Sequence, residues 1–192
     1  MKERTSPRIL IAGVGNIFLG DDAFGVEVVQ RLARRPLPAE VCVVDFGIRG
    51  LDLAYTLLEP FEAVILVDTL PRGGTPGTLY VLEPQMDEFT LAQETPLLQG
   101  HNLDPVRVLR AAAALGGPPQ RLFVVGCEPS AIEFADDVAP AMSLAVQAAL
   151  DEAVVLVESL MIRLLAGSVV AEASALNKPE LNDRARFCSG VG

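Results

Sequence analysis

RILIAGVGNIFLGDDAFGVEVVQRLARR, residues 8–35, reads as a strand, a glycine-bounded turn and a helix, in that order. Residues 8–15 are β-branched and apolar without alternation, the composition of a strand buried on both faces. From Ala23 to Arg35 the apolar Phe24, Val28, Val29 and Leu32 recur at helical spacing, with Glu27, Gln30 and Arg31 between them. A strand that is apolar on both faces needs a layer on each side. This opening unit therefore predicts helices packed above and below a sheet.

The same alternation continues along the chain. VCVVDFG (41–47), EAVILVDTL (62–70) and RLFVVGCEP (121–129) are further buried strands, and LDLAYTLLE (51–59) is a short helix. GTLYVLEP (77–84) is a strand reached through PRGGTPG (71–77), a turn short enough to predict an antiparallel hairpin with the strand before it. Residues 85–102 have no strong period and read as loop. NLDPVRVLRAAAALGG (102–117) carries helix punctuation: Asp104 to cap, Pro105 for the first helical position, Gly116 and Gly117 to stop. Residues 140–165 form a long amphipathic helix, and 167–192 read as a flexible tail. The fold class expected is α/β: one domain over residues 1–166, a three-layer sandwich whose twisted, mostly parallel sheet has about five strands, one edge strand antiparallel.

Charge and cysteine content narrow the function classes. With 25 Asp and Glu against 15 Lys and Arg, a formal net charge of −10, and no basic cluster with interleaved aromatics, nucleic acid is excluded as a partner. Cys42, Cys127 and Cys188 lie far apart and make no CxxC pair, so neither a disulfide framework nor a cysteine zinc site is indicated, and a reducing, cytoplasmic setting is expected. No membrane association is expected either. The apolar stretch over 138–166 is interrupted by Asp151, Glu152, Glu158 and Arg163, and the apolar run near the N-terminus is too short for a signal segment.

Chemistry gathers at one end of the strands. In open parallel sheets, ligands bind outside the carboxyl ends, where loops and helix N-termini face one crevice. Asp21 and Asp22 follow the first strand, Asp45 ends the second, Asp68 ends the third, and Cys127 with Glu128 ends the fifth. His101, the chain's single histidine, lies in the loop before the helix at 102–117. Several carboxylates in one crevice repel and lose hydration, which a cation relieves. Two carboxylates plus an imidazole would make three protein ligands with positions left open, and that donor mixture suits zinc, nickel, iron or copper better than magnesium or calcium. A phosphate cradle is disfavoured, because Gly13-Val14-Gly15 is followed by Phe18 where the third glycine of GxGxxG should stand, and GK[ST] is absent. Each residue also has an ordinary structural use: Asp21 or Asp22 as helix N-cap, Asp45 as turn-former, His101 as a surface residue, Cys127 as a small buried hydrophobe.

The pattern Gly13-x-Gly15-Asn16, then Asp21-Asp22, then Gly25 resembles the signature of the nickel–iron hydrogenase maturation proteases. DFGIRG (45–50), ILVDTL (65–70) and GHNLDPVRVL (100–109) resemble further elements of that family in the same order, so that the likeness spans about residues 8–160. The resemblance implies a cytoplasmic α/β endopeptidase that removes the C-terminal extension of a hydrogenase large-subunit precursor after nickel insertion. It maps the metal-contacting set onto Asp22, Asp68 and His101, with the nickel supplied by the substrate. Asp45, Gly47 and Gly50 would orient the extension. Competing readings are a hydrolase of a small substrate carrying its own zinc, a non-enzymatic nucleotide- or cofactor-binding module, and a scaffolding protein.

Overall fold

Five strands make one sheet: β1 (Ile9–Val14), β2 (Val41–Gly47), β3 (Ala63–Thr69), β4 (Leu79–Leu82) and β5 (Leu122–Cys127), in the order β2-β1-β3-β5-β4. β2, β1, β3 and β5 are parallel, and β4 runs antiparallel on β5. These come from a computed structural model that describes residues 8–84, 108–109, 112, 114–115, 120–130 and 141–166. The mostly parallel sheet with one antiparallel edge is the one the sequence implies. The hairpin is not. The turn over 71–77 predicts β4 folded back on β3, yet β5 occupies that edge through a parallel ladder from Val64–Leu122 to Thr69–Cys127. β3 is buried along almost its whole length and uses both edges, whereas β4 has four residues and an exposed Val81, which suits a sheet margin.

Period-two alternation, invisible in the apolar run, reappears as two cores. Ile9 and Ile11 of β1, with Ile65, Val67, Phe123 and Val125, pack under α1 (Phe24–Leu32) and α3 (Leu144–Leu165). Leu10, Ala12 and Val14, with Val64, Leu66 and Leu122, pack under α2 (Gly50–Thr56) and the helical residues Val108, Leu109 and Ala112. Each fully buried Leu or Ile here contributes roughly 1.5–3 kcal/mol. Among the described residues no helix is long and apolar enough to cross a membrane.

The glycines of the first turn let α1 sit directly on the strand ends. A Cβ at Gly25 would overlap the carbonyl oxygens of Val14 and Val67, so the first turn of α1 lies over the junction of β1 and β3. Gly15, at φ +134°, leaves no room for a Cβ against the Asp22 carbonyl. The helix expected over Ala23–Arg35 is thus Phe24–Leu32, led in by a 3-10 turn over Gly20–Ala23. The long helix starts at Leu144 rather than 140, because Ser143 has an extended backbone and its hydroxyl accepts the Val146 N–H at 3.4 Å. Most of the helix expected over 102–117, the loop before it and the tail 167–192 lie outside the described residues.

Candidate functional site

From β1 the chain crosses to β2 on one side and then to β3 on the other, so the strand order reverses between β1 and β3. At such a switch point the loops leave in opposite directions and open a crevice at the carboxyl ends. Asp22 reaches it from the loop after β1, and Asp68 from the end of β3.

The first loop aims Asp22 by folding on itself. Gly15 N–H donates to the Gly47 carbonyl at 3.1 Å, the Asn16 side-chain oxygen accepts the Phe18 N–H at 3.0 Å, and the Asn16 carbonyl accepts the Leu19 N–H at 3.0 Å. Asp22 then closes the loop, its Oδ2 accepting the Asn16 N–H at 2.8 Å. Its Oδ1 faces β3, where the Thr69 hydroxyl donates to it at 3.4 Å. Thr69 N–H donates to Asp68 Oδ1 at 2.7 Å. One residue therefore stands between the two carboxylates and bonds to both. Asp68 is buried and Asp22 is half-buried. Two bonds leave Asp22 acceptor capacity for a further partner, since an ionised carboxylate offers about four lone-pair sites.

Asp21, next to Asp22, does something else. It is buried and accepts the Ser143 N–H at 2.6 Å, the Ser143 hydroxyl at 2.9 Å and the Ser130 N–H at 2.7 Å. It ties the first loop to the N-terminus of α3 and to the segment after β5. Neither aspartate caps α1: the N-cap is Ala23, with no side-chain bond.

Asp45 lies one strand further out, two residues before the end of β2 and opposite Gly13, and its carboxylate accepts the Gln30 side-chain amide of α1 at 3.1 Å. The turn that follows is held by its main-chain carbonyl, which accepts from the Arg49 guanidinium. Gly47, at φ +52°, lies against Gly15, and Gly50 opens α2. His101 lies outside the described residues. Among the described residues no three His, Cys, Asp or Glu side chains gather closely enough to hold a metal ion.

The end of β5 carries two contrasting groups. Cys127 is fully buried; burial first, then the charges of Asp21 and Glu128, push its thiol up to about 11. It is a core residue with no thiolate at neutral pH. Burial alone would raise the pKa of Glu128, but hydrogen bonds from the Arg72 N–H, the Tyr80 hydroxyl and the Gly74 and Gly73 N–H groups outweigh it and hold the carboxyl below its ordinary range. Glu128 accepts the Arg72 N–H at 3.0 and 2.9 Å, the Gly73 N–H at 3.0 Å and the Tyr80 hydroxyl at 2.8 Å. It clamps the loop that leaves β3 just after Asp68. Sequence reading places Glu128 at the rim but assigns it no task, and it passes over Thr69; the available signals are a buried-strand acid followed by proline and a hydroxyl directly after the strand-ending aspartate.

Comparison with known proteins bears on this arrangement. A family model described as hydrogenase maturation protease matches residues 26–160. The chain is 35% identical over 150 residues to the hydrogenase expression/formation protein HupD of Rhodobacter capsulatus, covering 77% of this chain and 70% of that one. It is 32% identical over 146 residues to the hydrogenase 2 maturation protease of Escherichia coli strain K12, covering 76% and 87%. The fold superimposes on the hydrogenase maturating endopeptidase HybD from E. coli with a TM-score of 0.64 and 30% identity, covering 83% of this chain and 94% of that one.

Proposed function

The chain belongs to the hydrogenase maturation protease family, a family of peptidases, and on that premise we propose that it removes the C-terminal extension of a nickel–iron hydrogenase large-subunit precursor once nickel is in place. The observation that carries this reading is the meeting of Asp22 and Asp68 on either side of Thr69 at the β1/β3 switch point. Two oxygen donors held this way fit a divalent cation. His101, the chain's single histidine, is the proposed third contact and would tilt the set toward a transition ion.

In this reading the nickel is part of the substrate and arrives with it. Bound between protein donors, such an ion supplies charge that polarises a nearby carbonyl or water. The chain's own part is positional: Asp22, fixed by the Asn16 N–H, and Asp68, fixed by the Thr69 N–H, set where the ion and the adjoining peptide bond come to rest. Asp45, Gly47 and Gly50 line the neighbouring turn and orient the extension. Cys127 is not the nucleophile, because its thiol is buried and protonated. Cys42 and Cys127 are free thiols, which supports a cytoplasmic setting.

The test is mass measurement of the large subunit after incubation with nickel-loaded and nickel-free precursor. Only the loaded form should be shortened. Asp22→Ala, Asp68→Ala and His101→Ala should each slow processing at least about 100-fold while keeping the far-UV circular dichroism of the wild type. Equal cleavage of both precursor forms, or wild-type rates in all three variants, would overturn it. Stoichiometric zinc in the purified protein would favour a small-substrate hydrolase.

A further inference from the structure

α2 is apolar on two sides. Its inner face, Leu53 and Ala54 with the following Leu57, is buried in the core beneath β1 and β2. Leu51, Tyr55 and Leu58, spaced i, i+4, i+7, make a second stripe, and they are 67%, 64% and 39% exposed. Scattered apolar side chains are normal on a surface, but at 3.6 residues per turn this stripe is centred about 120° from the buried one, and an apolar band that wide exceeds the single face a core covers.

The stripe continues toward the site. Ile48, just before α2, is 63% exposed, and Phe18, on the loop that carries Asp22, is 68% exposed, while Ile17 beside it lines the groove between α1 and α3. The two loops are neighbours, since Val14 pairs with Gly47 and the Gly15 N–H donates to the Gly47 carbonyl. The one cation amid them, Arg49, is exposed; it donates to the carbonyls of Asp45 and Phe46 and lies 3.8 Å from Asp52, which is exposed as well. The apolar side chains thus surround one exposed ion pair of no net charge, on a chain whose net charge is −10. Five such side chains expose an area on the order of the ~800 Å² that one partner contributes to a stable interface.

We propose that Phe18, Ile48, Leu51, Tyr55 and Leu58 form the surface that docks an apolar face on the folded body of the precursor, apart from the crevice that takes the scissile segment. The proposal rests on the processing reading above. Its support is continuity: the rim begins on the Asp22 loop and extends along α2, about 10 Å of helix, away from the β1/β3 crevice. A short extension lodged between Asp22 and Asp68 does not also cover that helix. A globular surface does.

The experiment measures initial processing rates against concentration of nickel-loaded precursor for the wild type, for Leu51→Ser combined with Tyr55→Ser, and for Ile162→Ser, an exposed apolar control at the far end of α3. KM should rise at least about tenfold in the double variant while kcat stays within twofold, and the control should match wild type. KM within twofold of wild type would overturn the proposal. Ile48→Ser, which lies outside the helix, carries the test if the double variant does not fold. If the wild type fails to cleave, the processing reading falls, and sedimentation velocity with the same precursor decides the docking: a complex formed by wild type and lost in the variants upholds it, and no difference ends it. Wild type sedimenting alone as a dimer that the double variant dissociates would assign the rim to a second copy and also refute the proposal.

Discussion

Replacing Asp21 by alanine should melt the protein far earlier than replacing Asp22 by asparagine, although the two residues are adjacent. Asp21 is 5% exposed and accepts three hydrogen bonds of 2.6–2.9 Å from Ser143 and Ser130. A bond to a charged group contributes ~1.5–3 kcal/mol, and each part-buried N–H left without its acceptor costs ~1–3 kcal/mol. Water entering the vacated space returns some of this, so the loss is about 3–4 kcal/mol rather than the full sum. In a chain of this size each kcal/mol moves the midpoint by ~2–4 °C, which places Asp21→Ala roughly 6–16 °C below wild type. Asp22 holds one N–H at 2.8 Å and one hydroxyl at 3.4 Å. Asparagine keeps an oxygen for the N–H and removes a negative charge beside Asp68, so its stability should stay within about 1 kcal/mol of wild type. Thermal unfolding followed by far-UV circular dichroism, with urea titration as a check, measures both. An Asp21→Ala midpoint within about 2 °C of wild type, or a larger loss for Asp22→Asn, would refute this division of labour.

Gly25→Ala should destabilise by about 3 kcal/mol in urea unfolding, because its methyl meets the backbone oxygens of Val14 and Val67 and α1 must lift off the sheet; full tolerance would mean that α1 is not seated there. Glu128 has a folded pKa below its unfolded value of about 4.3, so it adds stability above that pH which disappears as pH falls through the lower folded value. The urea midpoint should therefore drop between pH 5 and pH 3, with a shallower drop in Glu128→Gln; identical slopes would contradict the assignment. Cys127, buried and with its thiol near 11, should resist iodoacetamide at pH 7.5 until the protein unfolds, and Cys127→Ala should retain processing. Labelling of the folded protein within minutes would show that the thiol is not in the core.

The strands were legible because β1, β3 and β5 are unbroken apolar runs, and a run of that kind has only one comfortable place, the middle of a covered parallel sheet. The same feature hides which side chain meets which layer: with both faces buried, Ile9 and Leu10 look alike in sequence, yet one packs under α1 and α3 and the other under α2. Pairing partners were less legible than strand positions. The turn over 71–77 is a local signal, whereas the ladder between β3 and β5 joins residues almost 60 positions apart and was settled by the burial that both strands gain.

The candidate site divides along the same line. That acids collect at one rim follows from sequence, since every parallel strand delivers its following loop to the same edge. The chain alone also indicates that the Gly13–Gly25 turn serves no phosphate, because two aspartates stand in it. What each of those aspartates does was decided by tertiary structure. In a 3-10 helix, with three residues per turn, neighbours point about 120° apart, so Asp21 is carried to the start of α3 and Asp22 to the end of β3. Which direction holds a serine and which a second carboxylate depends on segments that lie 47 and 122 positions along the chain, and no spacing within the turn encodes that.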